Sequence, residues 1–548
     1  MYKFRHIPTR KEQTKLFESL KKYSLSLISI LFLAILLTAC ASEPEESSSS
    51  SNGGDETAGG KELVISTASD AISLDPAGAN DVPSFDVQNN IFERLVSYDQ
   101  NMELQPGLAE SWEQIDETTW EFKLREDVTF HDGSEFNAEA VKANIERIND
   151  PEVAAPAAYL LDMINEVVVV DDYTVQFKTE FPYSGLPSNL SHSVSGMISP
   201  EQIREDYAAM GEGESVGSVI NANPIGTGFL KFEEWQPGQH IRLVKNEDYW
   251  GEPAKIESVT FKVVPEDLTR IAELETGDTH ISNPLSSSDV SQIESKENLS
   301  VLQQGSLALD YVGFNTSKEP FNDQLVRQAI TMAIDKDQII NGIYEGYAQV
   351  AEGPLPPNVY GYDENVEGLS RDQGKAKELL AEAGYQDGFT TTLMTNDTRE
   401  RMDIATNIQS QLAEIGITVE IEVLEWGAYI EKLDAGEQEM FILGWSNSTA
   451  HADNTFYPLF HSDNLGASGN TVFFENSELD TLIEEARQAQ DEAEQLELYK
   501  QAEEMLVDLA PMAYLTHKDY LLGVRDEVKG LTMYPSKLLN LKEVSIEE

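Results

Sequence analysis

Cysteine is almost absent from this chain of 548 residues, because the sequence contains only Cys40. The chain after Cys40 therefore cannot form an internal disulfide, and it must rely on burial of apolar surface for its stability. Basic residues are also scarce, with 38 Lys and Arg against 97 Asp and Glu and a formal net charge of −59. This balance excludes nucleic acid as a partner, since binding to phosphate backbones requires a basic surface. We interpret the acidity as a solvated surface suited to high salt or alkaline surroundings, with a preference for cationic ligands as the alternative.

The sequence also lacks the usual signatures of catalysis and of metal binding. No metalloprotease helix, phosphate-binding loop or zinc-cysteine pattern is present. Gly213-Glu-Ser-Val-Gly217 matches the nucleophile elbow of hydrolases, but an elbow follows a buried strand, and residues 205–212 are polar and helix-like. His451 and His461 are residue types that suit nickel, but their separation is not diagnostic of a site. We therefore predict neither an enzyme nor a protein with a cofactor or metal, and retain a surface-anchored hydrolase and a metal receptor as alternatives.

No apolar run near the N-terminus is long enough to span a bilayer. Residues 25–37 are apolar over about 13 positions, whereas a spanning helix needs about 20. Basic residues precede this run and small residues follow it, which is the layout of a secretory signal. Leu37-Thr-Ala-Cys40 resembles the lipobox of bacterial lipoproteins, in which the cysteine is diacylated and becomes the new N-terminus. We predict a lipoprotein signal peptide over 1–39 and lipidation of Cys40; a signal peptide with a chance cysteine and a retained anchor helix are the alternatives.

The segment after Cys40 has the composition of a tether. Residues 40–60 are rich in Ser, Gly and Glu and carry almost no apolar side chains. Such a segment cannot bury enough surface to offset the entropy of ordering, and we predict a flexible linker. An anchor followed by a linker predicts a folded body outside the cell, held to the outer face of the bacterial cytoplasmic membrane.

The body of the chain has the periodicity of an α/β protein. The patterns indicate a strand over 62–68, a hairpin over 167–177 and a helix that includes Val87, Ile91, Leu95 and Val96. From residue 390 onward strands and helices alternate, which indicates a parallel or mixed sheet. The predicted strands of this part are 390–395, 417–423 and 439–445, and the predicted helices are 399–415, 427–435, 478–489 and 492–510.

Several segments of the body resemble, in order, one family of proteins. The resemblance is to the family 5 extracellular solute-binding proteins of ABC importers, which take up peptides, nickel and related solutes. The matching segments extend over essentially the whole mature chain. They are Gly107–Trp112, Phe130–Gly133, Phe136–Val141, Pro224–Gly228, Trp235–Gly238, Asp248–Trp250, Phe314–Asn315, Val326–Asp335, Ala376–Gly384 and Leu459–Ser462.

The resemblance implies a particular architecture. It is the two-lobe periplasmic-binding-protein-like α/β fold, type II and of the peptide-binder class, with an inserted subdomain. Lobe I is expected to comprise 61–94, 223–306 and 517–548. The inserted subdomain is expected over 95–222, and lobe II over 307–516. Clefts between such lobes bind ligands and close around them by hinge motion.

Within this family, the segment from Gly444 to Asp453 indicates which branch the chain resembles most. Dipeptide and oligopeptide binders have an aspartate four residues after the glycine of the Gly-Trp pair, where it binds the peptide ammonium; here that position is Ser448. Their arginine for the ligand carboxylate corresponds to a position near Thr395. The polar residues after Trp445 are more similar to the glutathione-binding branch.

The resemblance implies a set of ligand-binding residues. Asp453 is expected to bind an ammonium and Arg399 a carboxylate, because enclosed charges need opposite charges. Tyr429 and Trp445 are expected to form apolar walls. The remaining members of the set are polar: Asn396, Asp397, Ser446, Asn447, Ser448 and Thr449.

These expectations combine into one hypothesis about function. The protein is predicted to be a monomeric, lipid-anchored receptor that captures short peptides, either glutathione-like or di- and tripeptides. It would deliver them to a membrane permease that is driven by a cytoplasmic ATPase. A receptor for nickel or a metal chelate is the first alternative and a surface-anchored hydrolase the second.

Overall fold

The computed structural model describes residues 62–466 and 469–547. The predicted signal peptide over 1–39, the linker over 40–60 and the lipidation site at Cys40 lie outside the described residues. Within the described part of the chain, no helix combines the length and the apolarity needed to cross a membrane.

One mixed sheet of 12 strands extends through the molecule. Its parallel pairs fall into two groups: Glu62–Thr67 lies between Ser258–Val263 and Ile281–Asn283, and Phe389–Asn396 lies between Ile417–Leu424 and Met440–Ser446. The predicted α/β organisation is therefore confirmed. Between and beside these groups are antiparallel strands, namely Leu230–Gln236, His240–Lys245, Leu299–Gly305, Ala308–Phe314, Ala348–Val350 and Met512–Arg525.

A single long strand, Met512–Arg525, joins the two parallel groups. Its first part pairs with Ala308–Phe314, which belongs to one half of the sheet, and its second part pairs with Leu299–Gly305 in the other half. The chain therefore passes from one half to the other at two adjacent places, near residues 305–308 and near residues 516–519. Two neighbouring strands are a connection around which the halves can bend.

The segment from Ala109 to Thr179 forms a separate antiparallel sheet. Its strand order is Ala109–Asp116, Thr119–Leu124, Thr174–Thr179 and Ile164–Asp171. The last two strands pair antiparallel, so the hairpin that alternation predicts over 167–177 is confirmed. The remaining short strands are Val96–Tyr98, Leu104–Pro106, Val528–Lys529, Thr532–Met533, Leu539–Asn540 and Ser545–Ile546.

The helices follow the capping signals of the sequence. Asn137 Oδ1 accepts a hydrogen bond from Ala140 N at 3.0 Å at one helix start, and Gly277 ends another helix with φ of 87°. The helices are Val82–Ile91, Ala138–Ile148, Leu186–Asn189, Pro200–Glu212, Ser218–Ala222, Asp267–Thr276, Val290–Glu294, Gln324–Ala333, Lys336–Gly342, Gln373–Glu382, Arg399–Ala413, Trp426–Asp434, Asp453–Phe460, Ser477–Gln488 and Glu492–Leu509. All strands and helices predicted after residue 390 are therefore confirmed, with ends that shift by one or two residues.

One predicted helix is shorter in the structure than its apolar spacing indicates. The helix Val82–Ile91 ends before Leu95 and Val96, and Phe92 already has extended backbone. The carbonyl of Ile91 accepts a hydrogen bond from Gly228 N at 2.8 Å, which replaces the bond of a further helical turn. Leu95 and Val96 are nevertheless fully buried, so the apolar spacing identified core residues correctly but not the helix end.

Candidate functional site

The candidate site lies where the carboxyl ends of parallel strands from both halves of the sheet come together. Asn283 ends a strand of one half, and Asn396 and Ser446 end strands of the other half. Ligands in α/β proteins bind at this end of the strands, because the chain there turns into loops and helix starts. We refer to the space between these strand ends as the cleft.

The long strand that joins the halves contributes directly to the cleft. Tyr520 lies on this strand, and its hydroxyl is 3.3 Å from Ser446 Oγ. The ammonium of Lys537 lies 5.7 Å from the centre of the Tyr520 ring. The C-terminal segment therefore supplies one wall of the cleft.

Six charged side chains, which we call the cleft charges, surround this region. They are three carboxylates and three cations: Asp86, Asp310, Glu400, Arg401, Lys518 and Lys537. Burial raises the pKa of Asp86 to about 7, although the nearby Lys537 charge lowers it. Burial also raises the pKa of Glu400 and lowers that of Lys537. Yet 25% of the Glu400 side chain and 23% of the Lys518 side chain remain accessible, as expected for groups that face a solvent-filled space inside the molecule.

Three of the cleft charges compensate one another. Lys518 Nζ lies 3.3 Å from Asp310 Oδ2 and 3.9 Å from Glu400 Oε2. Tyr344 donates a hydrogen bond to Asp310 at 3.0 Å. These contacts hold Asp310, Glu400 and Lys518 as one group, in which a single ammonium faces two carboxylates.

The other three cleft charges form no ion pair, although Lys537 is close enough to Asp86 to lower its pKa. Arg401 Nη1 donates to Asn396 Oδ1 at 2.9 Å. Asp86 Oδ2 accepts from Asn283 Nδ2 at 3.2 Å, and Asp86 Oδ1 is buried without a hydrogen-bond partner. Within residues 62–466 and 469–547, no opposite charge lies within 4.0 Å of Asp86, Arg401 or Lys537.

Gly444 allows two of the cleft charges to approach the sheet closely. A Cβ atom at this position would lie 2.8 Å from Asp310 Oδ1 and 3.5 Å from Arg401 Nη2. Only a residue without a side chain fits between the two charged groups without displacing one of them. The glycine of the Gly-Trp pair therefore has a steric role at the cleft.

Some of the residues predicted from the sequence lie at the cleft. Asn396 is buried and orients Arg401, whereas Asp397 is exposed beyond the strand end. Ser446 is half-buried beside Tyr520. Trp445 and Ser448 are also half-buried, and both are held by Asn454: the indole donates to its carbonyl at 2.8 Å and the Ser448 amide to its side chain at 3.1 Å.

Three other predicted residues have their side chains enclosed by protein. Tyr429 is fully buried and donates to the carbonyl of Ile442 at 2.6 Å, so no part of the ring forms a wall of the cleft. Asn447 is fully buried and donates to the carbonyl of His451 at 2.8 Å. Thr449 is buried, and its carbonyl accepts a hydrogen bond from Tyr98.

Asp453, the predicted partner of a ligand ammonium, already has a cationic partner. Its Oδ1 lies 3.1 Å from Arg487 Nε, and its Oδ2 accepts a hydrogen bond from Tyr183 at 2.7 Å. Asp453 is only 3% exposed. The structure thus places Asp453 in a compensated pair that connects segment 95–222 with the segment around Arg487.

Arg399, the predicted partner of a ligand carboxylate, is likewise paired with protein carboxylates. It contacts Asp289 and lies 3.1 Å from Asp267 Oδ2. Both aspartates belong to the segment 223–306, whereas Arg399 begins the helix Arg399–Ala413 in the other half. These ion pairs join the two halves beside the cleft.

The cleft charges were not identified from the sequence. Lys518 had one usable signal, since it belongs to the polar run Thr516-His-Lys-Asp519 inside an otherwise largely apolar strand from Met512 to Val524. Glu400 and Arg401 directly follow Arg399, so the sequence analysis selected this helix start but not the two side chains that lie at the cleft. Asp86 and Lys537 carry no signal of their own, because only the fold brings them together.

The structure also shows the surroundings of the residues on which the two alternative functions depend. Ser215 follows the helix Pro200–Glu212 and not a strand, so the geometry of a nucleophile elbow is missing. His451 is buried, and His461 lies 3.3 Å from Glu484. The part of the chain that the structure describes contains no group of three or more His, Cys, Asp or Glu residues able to hold a metal ion.

A cavity of about 440 Å³ lies elsewhere in the structure, and none of the cleft charges is among its lining residues. Tyr98, Tyr360, Thr449 and His451 are among its lining residues. Most of the lining is uncharged, and burial lowers the pKa of His451, which keeps the imidazole neutral. This cavity therefore lacks the opposite charges that a zwitterionic ligand requires.

Sequence comparison finds relatives along most of the chain. The profile described as "Bacterial extracellular solute-binding proteins, family 5 Middle" matches residues 103–467. The protein named "Glutathione-binding protein GsiB" of Pectobacterium atrosepticum is 33% identical over 498 residues, which are 89% of this chain and 95% of the relative. Its namesake in Escherichia coli K12 is 30% identical over 497 residues, with the same coverage.

Structural comparison finds solved proteins with the same fold. DppA of Helicobacter pylori, in complex with the peptide STSA, has a TM-score of 0.82 and 32% identity, covering 89% of this chain and 98% of DppA. The oligopeptide-binding protein AppA of Bacillus subtilis, in complex with a nonapeptide, has a TM-score of 0.81 and 27% identity, covering 89% of this chain and 99% of AppA. These neighbours are two-lobe periplasmic peptide-binding proteins, which confirms the predicted fold class. The chain belongs to the family 5 bacterial extracellular solute-binding proteins.

Proposed function

We propose that this protein is the substrate-binding component of an ABC importer and that it captures short peptides, either glutathione-like or di- and tripeptides. The observation that carries the proposal is the cleft itself, where charges of both signs from both halves of the sheet surround one enclosed space. A zwitterionic ligand offers an ammonium and a carboxylate to such a site, and charged hydrogen bonds contribute about 1.5–3 kcal/mol each. The names of the relatives and the peptides in the neighbouring structures support the same class of ligand. A protein that binds its ligand without breaking a covalent bond agrees with this family.

Ligand capture would involve closure of two lobes. In this proposal lobe I comprises 61–94, 223–306 and 517–548, lobe II comprises 307–516, and 95–222 is the inserted subdomain. The two adjacent strand crossings near 305–308 and 516–519 serve as the hinge. Closure brings Asp86 and Lys537 of lobe I towards Arg401 and Ser446 of lobe II.

Arg399 has a role in closure under this proposal. Its two carboxylate partners belong to lobe I, so the ion pairs form only when the lobes are together. They stabilise the closed form and leave the ligand carboxylate to other cations. Asp453, which Arg487 already compensates, has a structural role in the same scheme.

The location of the protein completes the proposal. A diacylated Cys40 and the linker over 40–60 would hold the folded body at the outer face of the bacterial cytoplasmic membrane. The partners are a membrane permease and its ATPase, to which the protein delivers its ligand as a monomer. Acyl chains anchor such a protein because each buried methylene contributes about 0.8 kcal/mol.

The class of ligand is tested by thermal unfolding of the mature chain in mild detergent. Glutathione, dipeptides, tripeptides and nickel with histidine are added separately, and native mass spectrometry identifies any ligand that co-purifies. A ligand at about 100 times its Kd adds about 2.7 kcal/mol to the free energy of unfolding, so we expect a peptide to raise Tm. The peptide assignment fails if only nickel with histidine raises Tm.

The role of Arg399 is tested by Arg399→Gln, with Arg242→Gln as the matched control. Arg242 also contacts two carboxylates, those of Glu62 and Glu233, but all three lie in the proposed lobe I. Loss of a partly exposed ion pair costs about 1 kcal/mol, which corresponds to about fivefold in affinity. We expect Arg399→Gln to weaken ligand binding by about this factor and to increase the radius of gyration of the ligand-free protein in small-angle scattering. Arg242→Gln should change neither quantity.

A different result would support Arg399 as the binding partner of the ligand carboxylate. In that case Arg399→Gln would leave the ligand-free scattering unchanged and would weaken only ligands that carry a carboxylate. Added salt separates the two roles further, because it screens the interlobe pairs of the wild type.

The membrane anchor is tested by Cys40→Ala in cells that receive radiolabelled palmitate. We expect the wild type to incorporate the label and Cys40→Ala to lose it, since no other cysteine is present to accept a lipid. Incorporation of label by Cys40→Ala would show that the anchor is elsewhere.

A further inference from the structure

The cavity of about 440 Å³ lies between two parts of the chain that belong to different domains in the proposed division. We call it the junction pocket. Residues between 98 and 188, in the inserted subdomain, form one wall, and residues between 360 and 495, in lobe II, form the other. Its volume falls within the range of small-molecule sites, which is roughly 300–1,000 Å³. The junction pocket could therefore hold a ligand of its own.

The only charged side chain among the described lining residues is a carboxylate. It belongs to Glu492, which is exposed at the start of the helix Glu492–Leu509 and forms no ion pair within 4.0 Å in the described part of the chain. Burial lowers the pKa of His451, so this lining residue is neutral. The charge of Arg487 also lowers this pKa, but Asp453 compensates Arg487 at 3.1 Å. The junction pocket therefore disfavours a carboxylate and accommodates a positive charge.

Two tyrosines of the junction pocket suit a cation. Tyr98 and Tyr360 are half-buried, and a ring face attracts a cation within about 6 Å. Tyr98 donates to the carbonyl of Thr449, and Tyr360 donates to Gln495 Oε1 at 2.9 Å. Each hydroxyl can therefore only accept any further hydrogen bond. Burial, and after it the charge of Glu492, raise the pKa of Tyr360, which places the carboxylate beside this ring.

Another lining residue has a polar group without a partner. Thr449 is 1% exposed, and its Oγ1 forms no hydrogen bond with any residue that the structure describes. A hydroxyl oxygen can accept a hydrogen bond from an ammonium. The wall beside it is ordered, because the amide of Tyr360 donates to the carbonyl of Ala450 at 2.9 Å and the ring stacks on His451 with centroids 4.9 Å apart. Ordered walls lose little freedom when a ligand binds.

We propose that the junction pocket is a second binding site and that it takes an organic cation with an apolar body, such as an arylalkyl amine or a quaternary ammonium compound. Glu492 faces the positive charge, and the rings of Tyr98 and Tyr360 enclose it. Met102 and Leu104, which also line the pocket, contact the apolar body. A peptide with a free carboxylate is excluded, because the described lining residues offer that group no cation. The ligand of this site therefore differs from the ligand of the cleft.

Occupancy of the junction pocket would favour closure of the lobes, and this part of the inference rests on the proposed function. An occupant contacts the inserted subdomain and lobe II at the same time, so it stabilises their contact. The segment 446–451 connects the two sites, since Ser446 lies beside Tyr520 in the cleft and His451 lines the pocket. Asn447 holds this segment by donating to the carbonyl of His451 at 2.8 Å. The cation and the cleft ligand would then raise each other's affinity by the same factor.

The requirement for positive charge is tested with pairs of probes that have similar shapes and differ in charge. Choline is paired with dimethylbutanol, in which carbon replaces the nitrogen, and phenethylamine is paired with phenethyl alcohol. Affinities are measured by calorimetry on the full mature chain in detergent, without peptide. We expect the cation of at least one pair to bind about tenfold or more tightly than its uncharged counterpart, as cation–π contacts beside a carboxylate provide. Added salt should reduce this preference.

Matched variants show whether the probes bind in the junction pocket. Glu492→Gln removes the carboxylate, and Glu494→Gln is its control, because Glu494 is exposed in the same helical turn but is not among the described lining residues. Tyr360→Leu removes one ring, and Tyr362→Leu is its control, because Tyr362 is 40% exposed and follows on the same loop. We expect the preference for the cation to fall below about threefold in Glu492→Gln and in Tyr360→Leu. Both controls should retain the preference of the wild type.

The link to closure is measured by titrating a peptide that binds the wild type, with and without a saturating concentration of the tighter cation. We expect the cation to strengthen peptide binding to the wild type and to Glu494→Gln, and to have no such effect on Glu492→Gln. Unchanged peptide affinity in the wild type would overturn the link to closure.

The cation site itself fails under three results. They are no binding of either cation, equal affinity for both members of each pair, and a preference that persists in Glu492→Gln. Competition between the cation and the peptide also overturns the inference, because it places both ligands in the cleft. If no peptide of the wider panel binds, the proposed function fails, whereas the probe pairs still decide the cation site because they are measured without peptide.

Discussion

The structure around the cleft depends on one constraint, which is that enclosed charges need opposite charges. The cleft gathers carboxylates and cations from four separate parts of the chain, and burial shifts the pKa values of Asp86, Glu400 and Lys537. Protein groups complete only part of this compensation, through Lys518 and its two carboxylates. A receptor differs from an ordinary folded core in this respect, because its ligand must complete what the protein leaves unmatched.

The fold explains how such a site is both enclosed and accessible. Parallel strands from two halves present their carboxyl ends to the same space, and the chain crosses between the halves near the cleft at two adjacent places. Opening at these strands would expose the cleft charges to water, which hydrates them. Closing would remove this water, and other polar or charged groups would then have to replace it. Under the proposed closure, the pairs of Arg399 with Asp267 and Asp289 would stabilise the closed arrangement without contact to the ligand.

The sequence predicted the local structure well but not which side chains meet in the cleft, for a physical reason. Strands and helices after residue 390 follow from periodicity and caps, which are properties of neighbouring residues. The cleft brings together residues that are distant in the chain, such as Asp86 and Lys537, and no local pattern connects them. Asp453 and Arg399 illustrate the same limit of sequence analysis. The sequence displays a charged residue but not its partner, and Arg487 and Asp289 become visible only in the folded chain.

The central claim is that the ligand binds among the cleft charges, and a crystal structure of the protein with glutathione tests it most directly. We predict that the ligand lies between the two halves of the sheet, with its charged groups within hydrogen-bond distance of side chains among the cleft charges. Electron density for the ligand in the cavity beside Tyr98 and His451, with none among the cleft charges, would contradict the claim.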